Sequence, residues 1–339
     1  MEHALHAFLE RITAVHWSLL FGVIAAMLAV LAKSADLLVD EAVVLAERSN
    51  IPKVIIGATL VSLGTTTPEA AVSVFAALQG DPGLALGNAV GSVICDTGLI
   101  LGLACILSPL PLERSVVNRQ GWIQLGAGVL LVAASLPFSS RLPRAVGFIF
   151  LGLLVLYLWR SIAWARKAHV KAERTRAASA GGGSMAAVVA KLLGAVALVV
   201  ASSHVLIPAV ELAAKLIGVP EDVIAASLVA FGTSLPELVT ALTAVRRGHG
   251  ELAVGNVIGA DILNVLFVAG AACVVTPGGL AVPGNFYRLH FPVMIAVLVL
   301  FRAGIFFSGD RLKRPFGVLL LGCYVAYLFL QYTFLGGLG

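Results

Sequence analysis

The chain has 339 residues, 59% hydrophobic and only 12% charged, with a mean hydropathy of +0.99. A water-soluble domain carries about 25% charged residues, so too little polar material is present to cover a soluble surface, and the chain is read as resident in a bilayer. The net charge of +5 does not point to nucleic acid, because most of the 23 Lys and Arg residues sit in short connections between apolar runs, the positive-inside pattern of membrane proteins.

Residues 1–15 read as a short amphipathic lead-in, without the n-region, h-region and cleavage site of a signal peptide. Ten spans follow, near 17–46, 54–80, 83–108, 118–137, 144–164, 186–215, 222–246, 251–275, 287–305 and 315–335, many of them reaching the roughly 20 residues that cross a hydrocarbon core. In the first span, Lys33 and Asp36 lie three apart and are expected to form an internal ion pair.

The second span contains Gly64-Thr65-Thr66-Thr67-Pro68-Glu69. Pro68 has no N–H, and its ring clashes with the carbonyl of Gly64, so the helix must break or kink there and free carbonyls around Gly64 and Thr65. Broken backbone at membrane depth is tolerated only where it is buried in protein or lines a cavity. The third span carries Gly87-Asn88-Ala89-Val90-Gly91-Ser92 and Asp96. Ser92 and Asp96, four apart, share a helical face; the glycines permit close helix approach. Asn88 has two equally weighted roles, as a site residue or as a cap and cross-link between helices.

After the fifth span comes a basic stretch from Arg166 to Arg176, then Ala-Ala-Ser-Ala-Gly-Gly-Gly-Ser, a flexible tether. With this linker in the cytoplasm, Arg48, Lys53, Arg114, Arg119, Arg246, Arg247, Arg311, Lys313 and Arg314 also fall inside, as the positive-inside rule asks. Both termini then face outward. The four cysteines, Cys95, Cys105, Cys273 and Cys323, read as small buried hydrophobes without metal-site spacing.

The second half repeats the first. Gly232-Thr233-Ser234-Leu235-Pro236-Glu237 lies 168 positions after the first motif, and the same shift carries Gly87-Asn88 onto Gly255-Asn256, Gly91 onto Gly259, Asp96 onto Asn264 and Pro52 onto Pro220. His204 falls where Asp36 does and reads as a packed polar residue. Five spans per half is an odd number, so the halves oppose one another in orientation. The expected fold is an all-α membrane protein of ten transmembrane helices in two inverted five-helix repeats, with broken helices at the midplane. Residues 1–165 form the first repeat, 166–185 the linker and 186–339 the second repeat. In such folds the site forms where the repeats meet.

Each half supplies one carboxylate, Glu69 or Glu237, with hydroxyls from Thr65, Thr66, Thr233 and Ser234 and the freed carbonyls. A structural alternative, an acid paired to a buried Lys, fits one such Glu better than two in identical contexts. An all-oxygen set with two carboxylates suits a hard cation, and Ca²⁺ accepts flexible carboxylate ligation better than Mg²⁺. An ionisable residue inside a span is costly, so a functional role is the default.

The paired Gly-Thr-x-x-Pro-Glu motifs at inverted positions resemble the sodium/calcium exchangers of the cation/calcium exchanger superfamily, over 57–108 and 225–275 and more loosely over the whole layout. The resemblance implies antiport, Ca²⁺ moving against several Na⁺ through one alternating-access site. Glu69 and Glu237, with the carbonyls of Thr65 and Thr233, would hold Ca²⁺. Thr66, Ser92 and Glu69 would form one Na⁺ site. The Ala230 carbonyl, Thr233, Ser234 and Glu237 would serve the partner sites, and Asp96 and Asn264 would complete the centre. The ions are substrates, no cofactor is implied, and the short linker leaves no room for a calcium-sensing domain. Size and family type imply a prokaryotic plasma membrane protein.

The chain departs from the family pattern at four places. Thr66 replaces a frequent Ser and keeps the hydroxyl. Ala260 stands where a Ser hydroxyl is expected, Asp261 replaces an Asn, and the acid and amide at Asp96 and Asn264 look exchanged. These changes leave two counter-ions open, Na⁺ and H⁺. An intramembrane protease lacks its Gly-x-Gly-Asp or His-Glu-x-x-His element here, and a channel is disfavoured because buried carboxylates at broken helices bind rather than conduct.

Overall fold

The computed structural model describes residues 17–136, 141–173, 184–216 and 232–336. The amphipathic lead-in, the Gly-rich part of the linker, Pro220 and Ala230 lie outside these residues. The described chain is helical apart from four two-residue strands. Its helices are α1 (Trp17–Arg48), α2 (Lys53–Thr65), α3 (Thr67–Leu78), α4 (Pro82–Leu107), α5 (Arg114–Ser135) and α6 (Arg144–Glu173). The second half continues with α7 (Met185–Leu216), α8 (Leu235–Arg246), α9 (Gly250–Val275), α10 (Phe286–Phe307) and α11 (Arg314–Gly336).

Among the described residues, seven helices are long and apolar enough to cross a membrane: α1, α4, α6, α7, α9, α10 and α11. The span expected at 54–80 is instead two short apolar helices, α2 and α3, divided at Thr66. The α6 helix continues to Glu173, past the end expected near 164, because Ala, Lys, Arg and Glu are all good helix formers.

The helices are arranged around α4 and α9, most of whose residues are buried, whereas α1, α7 and α11 keep most of theirs on the outside. The outer faces are apolar: Phe148, Ile149, Val155 and Trp159 of α6 are exposed, as lipid contact requires. Because lipid tails are as apolar as Leu, helices in a bilayer associate by close packing of small residues rather than by apolar burial. Gly259 shows this, since a Cβ there would sit 2.5 Å from Ala58 Cα and 2.5 Å from Ser62 Oγ. Gly255 packs as tightly on Val54 O, so α9 crosses α2 with backbones in contact.

Both ends of the bundle are tied by matching strand pairs. Leu110–Pro111 (β1) pairs antiparallel with Arg311–Leu312 (β4), and Arg141–Leu142 (β2) with Leu280–Ala281 (β3). A shift of 170 carries Leu110 onto Leu280 and Leu142 onto Leu312, so the pairing Leu110 with Leu312 becomes Leu280 with Leu142. Two thiols do the same. Cys105 Sγ donates to the carbonyls of Leu312 and Lys313, and Cys273 Sγ, 168 positions later, to those of Leu142 and Pro143. None of the four cysteines forms a disulfide.

Candidate functional site

The proline arithmetic of the motif is visible in the backbone. Thr66 sits between α2 and α3 with φ −82° and ψ 0°, and Pro68 occupies the first turn of α3. Ser234 precedes α8 with nearly the same angles, φ −84° and ψ 9°, and Pro236 occupies its first turn. Each acid follows its proline directly, Glu69 in the first turn of α3 and Glu237 in the first turn of α8. The positive end of the helix dipole favours a negative charge there. Both side chains are 1% exposed, and neither reaches the lipid face.

The acids are neighbours. Glu237 lies close enough to Glu69 for the two charges to repel, and Asp96 adds to that repulsion. The two halves interlock around them. Thr66 Oγ1 of the first half donates to Glu237 Oε1 of the second across 3.2 Å, and Thr65 adjoins the same carboxyl while its own hydroxyl donates to Val61 O at 3.2 Å. Asn264 Nδ2 donates to Asp96 Oδ2 at 3.2 Å. The Ser234 hydroxyl adjoins the Asp96 carboxyl.

Asn88 has a structural part. Its Nδ2 donates to Glu69 O (3.0 Å) and Ser73 Oγ (2.9 Å), and its Oδ1 accepts from Thr233 Oγ1 (3.1 Å). One amide thus fixes the turn bearing Glu69 to α4 and to the second motif. Its counterpart Asn256 is buried with both side-chain polar atoms unpartnered.

The remaining oxygens decide what the site can hold. Both Glu69 carboxyl oxygens, Glu237 Oε2, Asp96 Oδ1, Ser92 Oγ, Ser234 Oγ and Asn264 Oδ1 are buried without a hydrogen-bond partner. An orphaned buried polar group costs about 1–3 kcal/mol. Oxygens left in this way are available to a ligand. All are oxygens, the donor set of hard cations. Among the described residues, no three His, Cys, Asp or Glu side chains cluster as a metal site, so hydroxyl, amide and carbonyl oxygens must complete any shell around the acids.

The helices bearing these groups are locally wide. The α-helical bonding gives way to π-helix over Gly57–Val61 in α2, Cys95–Ile100 in α4 and Asn264–Ala269 in α9. Single π turns inside α-helices recur at functional sites, and two of these three begin at or beside Asp96 and Asn264. Tyr157 Oη of α6 donates to Ala58 O (3.0 Å) in the first of them.

Other expectations meet different partners. Asp36 pairs not with Lys33 but with Arg247 (3.0 Å), which also holds Asp40. Arg247 wins because it reaches two acids one helical turn apart on α1. Glu211 pairs with Lys215 at 3.1 Å. His204 is half-buried in α7 with Nε2 unpartnered, and Pro208 four residues on removes the donor to its carbonyl. Asp261 does not join the central oxygens; its Oδ2 accepts from Thr97 and from Gln124 Nε2. Thr97 and Gln124 carry no motif signal in the sequence.

The described helices are those of a membrane protein, and the family comparison gives its class, an ion transporter and not an enzyme. The family model described as "Sodium/calcium exchanger protein" matches residues 19–163 and again 187–333, and the chain belongs to that family. The second match starts 168 residues after the first, the shift that relates the two motifs. The inner membrane protein YrbG of Escherichia coli is 35% identical over 305 residues, covering 88% of this chain and 92% of that protein. The sodium/calcium exchanger MaX1 of Methanosarcina acetivorans is 31% identical over 335 residues, covering 88% and 94%. The solved sodium-calcium exchanger NCX_Mj, soaked with Na⁺ and Sr²⁺, superposes with a TM-score of 0.76 at 26% identity, covering 92% of this chain and 98% of its own.

Proposed function

We propose that this chain is a secondary antiporter that exchanges Ca²⁺ for Na⁺ by alternating access at one buried site between its halves. The observation that carries this reading is the meeting of Glu69 and Glu237, each behind a proline kink, with the unpartnered oxygens of Asp96, Ser92, Ser234 and Asn264 around them. Glu69 and Glu237 with the carbonyls of Thr65 and Thr233 would hold Ca²⁺. Thr66 and Ser92 would hold Na⁺ beside Glu69. The Ala230 carbonyl, Thr233 and Ser234 would serve beside Glu237, and Asp96 and Asn264 between them. Two facing carboxylates repel unless a cation or proton lies between, which ties each release to the next binding.

The architecture is proposed as ten membrane helices in two inverted repeats, 1–165 and 186–339, joined by the cytoplasmic linker 166–185. The 168-residue shift, the double family match and the mirrored strand and thiol contacts support it. The pairing of β1 with β4 joins two loops read as cytoplasmic, and that of β2 with β3 two loops read as external. Both termini would then lie on the outer side; the name of the YrbG relative supports an inner membrane location. The relative MaX1 is named a sodium/calcium exchanger, which supports Na⁺ as the counter-ion.

A second reading, Ca²⁺ exchange for H⁺, is favoured by Ala260, which removes a hydroxyl from the second motif, and by the added carboxyl of Asp261. Isotopic Ca²⁺ uptake into liposomes separates the two. Uptake driven by an outward Na⁺ gradient and indifferent to protonophore supports Na⁺ coupling. Uptake driven only by a proton gradient overturns it in favour of H⁺.

A further inference from the structure

Lys33 is left over when the ion pairs of α1 are followed. Every acid of that helix has another base. Asp36 and Asp40 hold Arg247, Glu41 lies 3.3 Å from Lys191 of α7, and Glu47 lies 3.5 Å from Lys53 of α2. The helices packed on α1 offer no further acid. The α2 helix contains none, Glu211 of α7 pairs with Lys215, and Glu237 of α8 is buried in the central site. Among the described residues, Lys33 and Arg246 therefore have no acid partner. Both side chains are exposed, and both line one cavity of about 590 Å³ between α1 and α8, together with Ala29, Ala32 and Thr243.

A cation on an apolar membrane helix is costly unless a counter-charge meets it. Lys33 lies within the apolar stretch Leu19–Arg48, and Leu28, Val30 and Leu37 on the same helix are exposed, as in a helix that borders lipid. The cavity beside it thus opens between a lipid-facing helix and the end of α8, and its unmatched charge is positive. The charge is also confined to one end of the molecule. The shift of 168 carries Lys33 onto Ala201, Leu78 onto Arg246 and Gln79 onto Arg247. The corresponding place at the opposite end is therefore uncharged. The charged end is the one read as cytoplasmic, where the lipid surface of a cell membrane is negative.

We propose that Lys33 and Arg246 bind the phosphate of an anionic phospholipid of the cytoplasmic leaflet in the cavity between α1 and α8. The guanidinium offers paired donors to two phosphate oxygens, and the ammonium offers a point charge to the same group. The Thr243 hydroxyl lines the same cavity and supplies a further donor. Arg247 stays with Asp36 and Asp40 and holds the two helices together around the lipid. The small side chains of Ala29 and Ala32 leave room for the glycerol, and the acyl chains run along the apolar face of α1. The leaflet rests on the reading that the linker is cytoplasmic; the site itself does not, and it is separate from the central oxygens.

Melting temperatures of the purified full-length protein in detergent micelles doped with lipid test this. A ligand that binds only the folded state raises the melting temperature. Phosphatidylglycerol in about hundredfold excess over its Kd is expected to raise that of wild type by about 5 °C. Phosphatidylcholine, and inorganic phosphate without lipid, are expected to leave it unchanged. The double variant K33Q/R246Q should lose most of the phosphatidylglycerol shift, and Lys33→Arg should keep it. Both side chains are exposed and unpaired, so the double variant should melt like wild type in phosphatidylcholine. Should it fail to assemble, Lys33→Gln and Arg246→Gln taken singly should each lose about half of the shift. An equal shift with phosphatidylcholine overturns the charge recognition, and an equal shift with inorganic phosphate overturns the lipid in favour of a free anion. A full phosphatidylglycerol shift in the variants overturns the site. Ca²⁺ is absent throughout, so each of these results leaves the central site standing.

Discussion

Asn264 donates to the carboxyl of Asp96 at 3.2 Å, and these two residues occupy the same place in the two halves, 168 positions apart. The contact joins the two duplicated segments through one acid and one amide. Exchanging them, as D96N/N264D, keeps the charge and the hydrogen bond, and the double variant is expected to retain most of its Ca²⁺ flux. Asn264→Ala leaves the Asp96 carboxyl without its donor and is expected to cost about 1–3 kcal/mol of stability. Thermal unfolding in detergent and liposome flux read the two effects separately.

Each acid in the kinked helices is expected to be indispensable. Glu69→Gln or Glu237→Gln keeps the shape and removes one of two charges facing the ion. A charge-assisted ligand is worth on the order of 3 kcal/mol, so Ca²⁺ affinity should fall by about a hundredfold. Isotopic binding checks this. Ser92→Ala, which removes one neutral oxygen, should fall between those variants and wild type.

The crossing of α2 and α9 predicts a steric result. Gly259→Val places its Cβ 2.5 Å from Ala58 Cα, and overpacking of this kind costs about 1–3 kcal/mol. Flux should fall as well, because α2 carries Thr65. Gly322→Ala on α11, where a Cβ meets nothing within 4 Å, should leave stability unchanged or improve it. Melting temperatures of both variants, compared side by side, check the pair.

His249, in the connection between α8 and α9, predicts a pH dependence. Burial, and then the nearby Lys53 ammonium, push its imidazole below the usual 6.5. Its Nδ1 lies 3.2 Å from Lys53 Nζ, so the neutral ring accepts the bond. Below the unfolded value the unfolded chain binds more protons than the folded one. The stabilising contribution is therefore complete above about pH 6.5 and is lost as pH falls through the lowered value. His249→Gln should flatten this acid limb of the melting curve; limbs that superpose would contradict the assignment.

The clamp of Arg247 on Asp36 and Asp40 predicts a salt effect. Arg247→Gln leaves two acids four apart on α1 facing one another, a repulsive arrangement. The variant should melt below wild type in dilute buffer. At about 1 M salt, where charges are screened within roughly 3 Å, the gap should close.

The central site was legible in the sequence because its signals are local. A proline inside an apolar run removes a backbone donor and crowds the preceding turn, and the acid beside it stands out against apolar surroundings. The duplication made that signal double. What the sequence did not carry are partners chosen by packing. Asp36 finds Arg247 from 211 positions away, and Thr66 finds Glu237 from 171. Asp261 was legible as a departure, yet its partners Thr97 and Gln124 look like ordinary polar residues on two other helices until those helices are brought together. The π turns beside Asp96 and Asn264 have no compositional mark. The early expectation for Asp36 failed for this reason, since Lys33 was simply the nearest base along the chain.

The shared site is tested most directly by diffraction from crystals soaked with Sr²⁺, a heavier stand-in for Ca²⁺. The account predicts one dominant anomalous peak at mid-bilayer, with oxygens of both Glu69 and Glu237 at about the 2.3–2.6 Å typical of Ca²⁺ or slightly beyond. A peak bound by one half alone, or lying away from both acids, would contradict it.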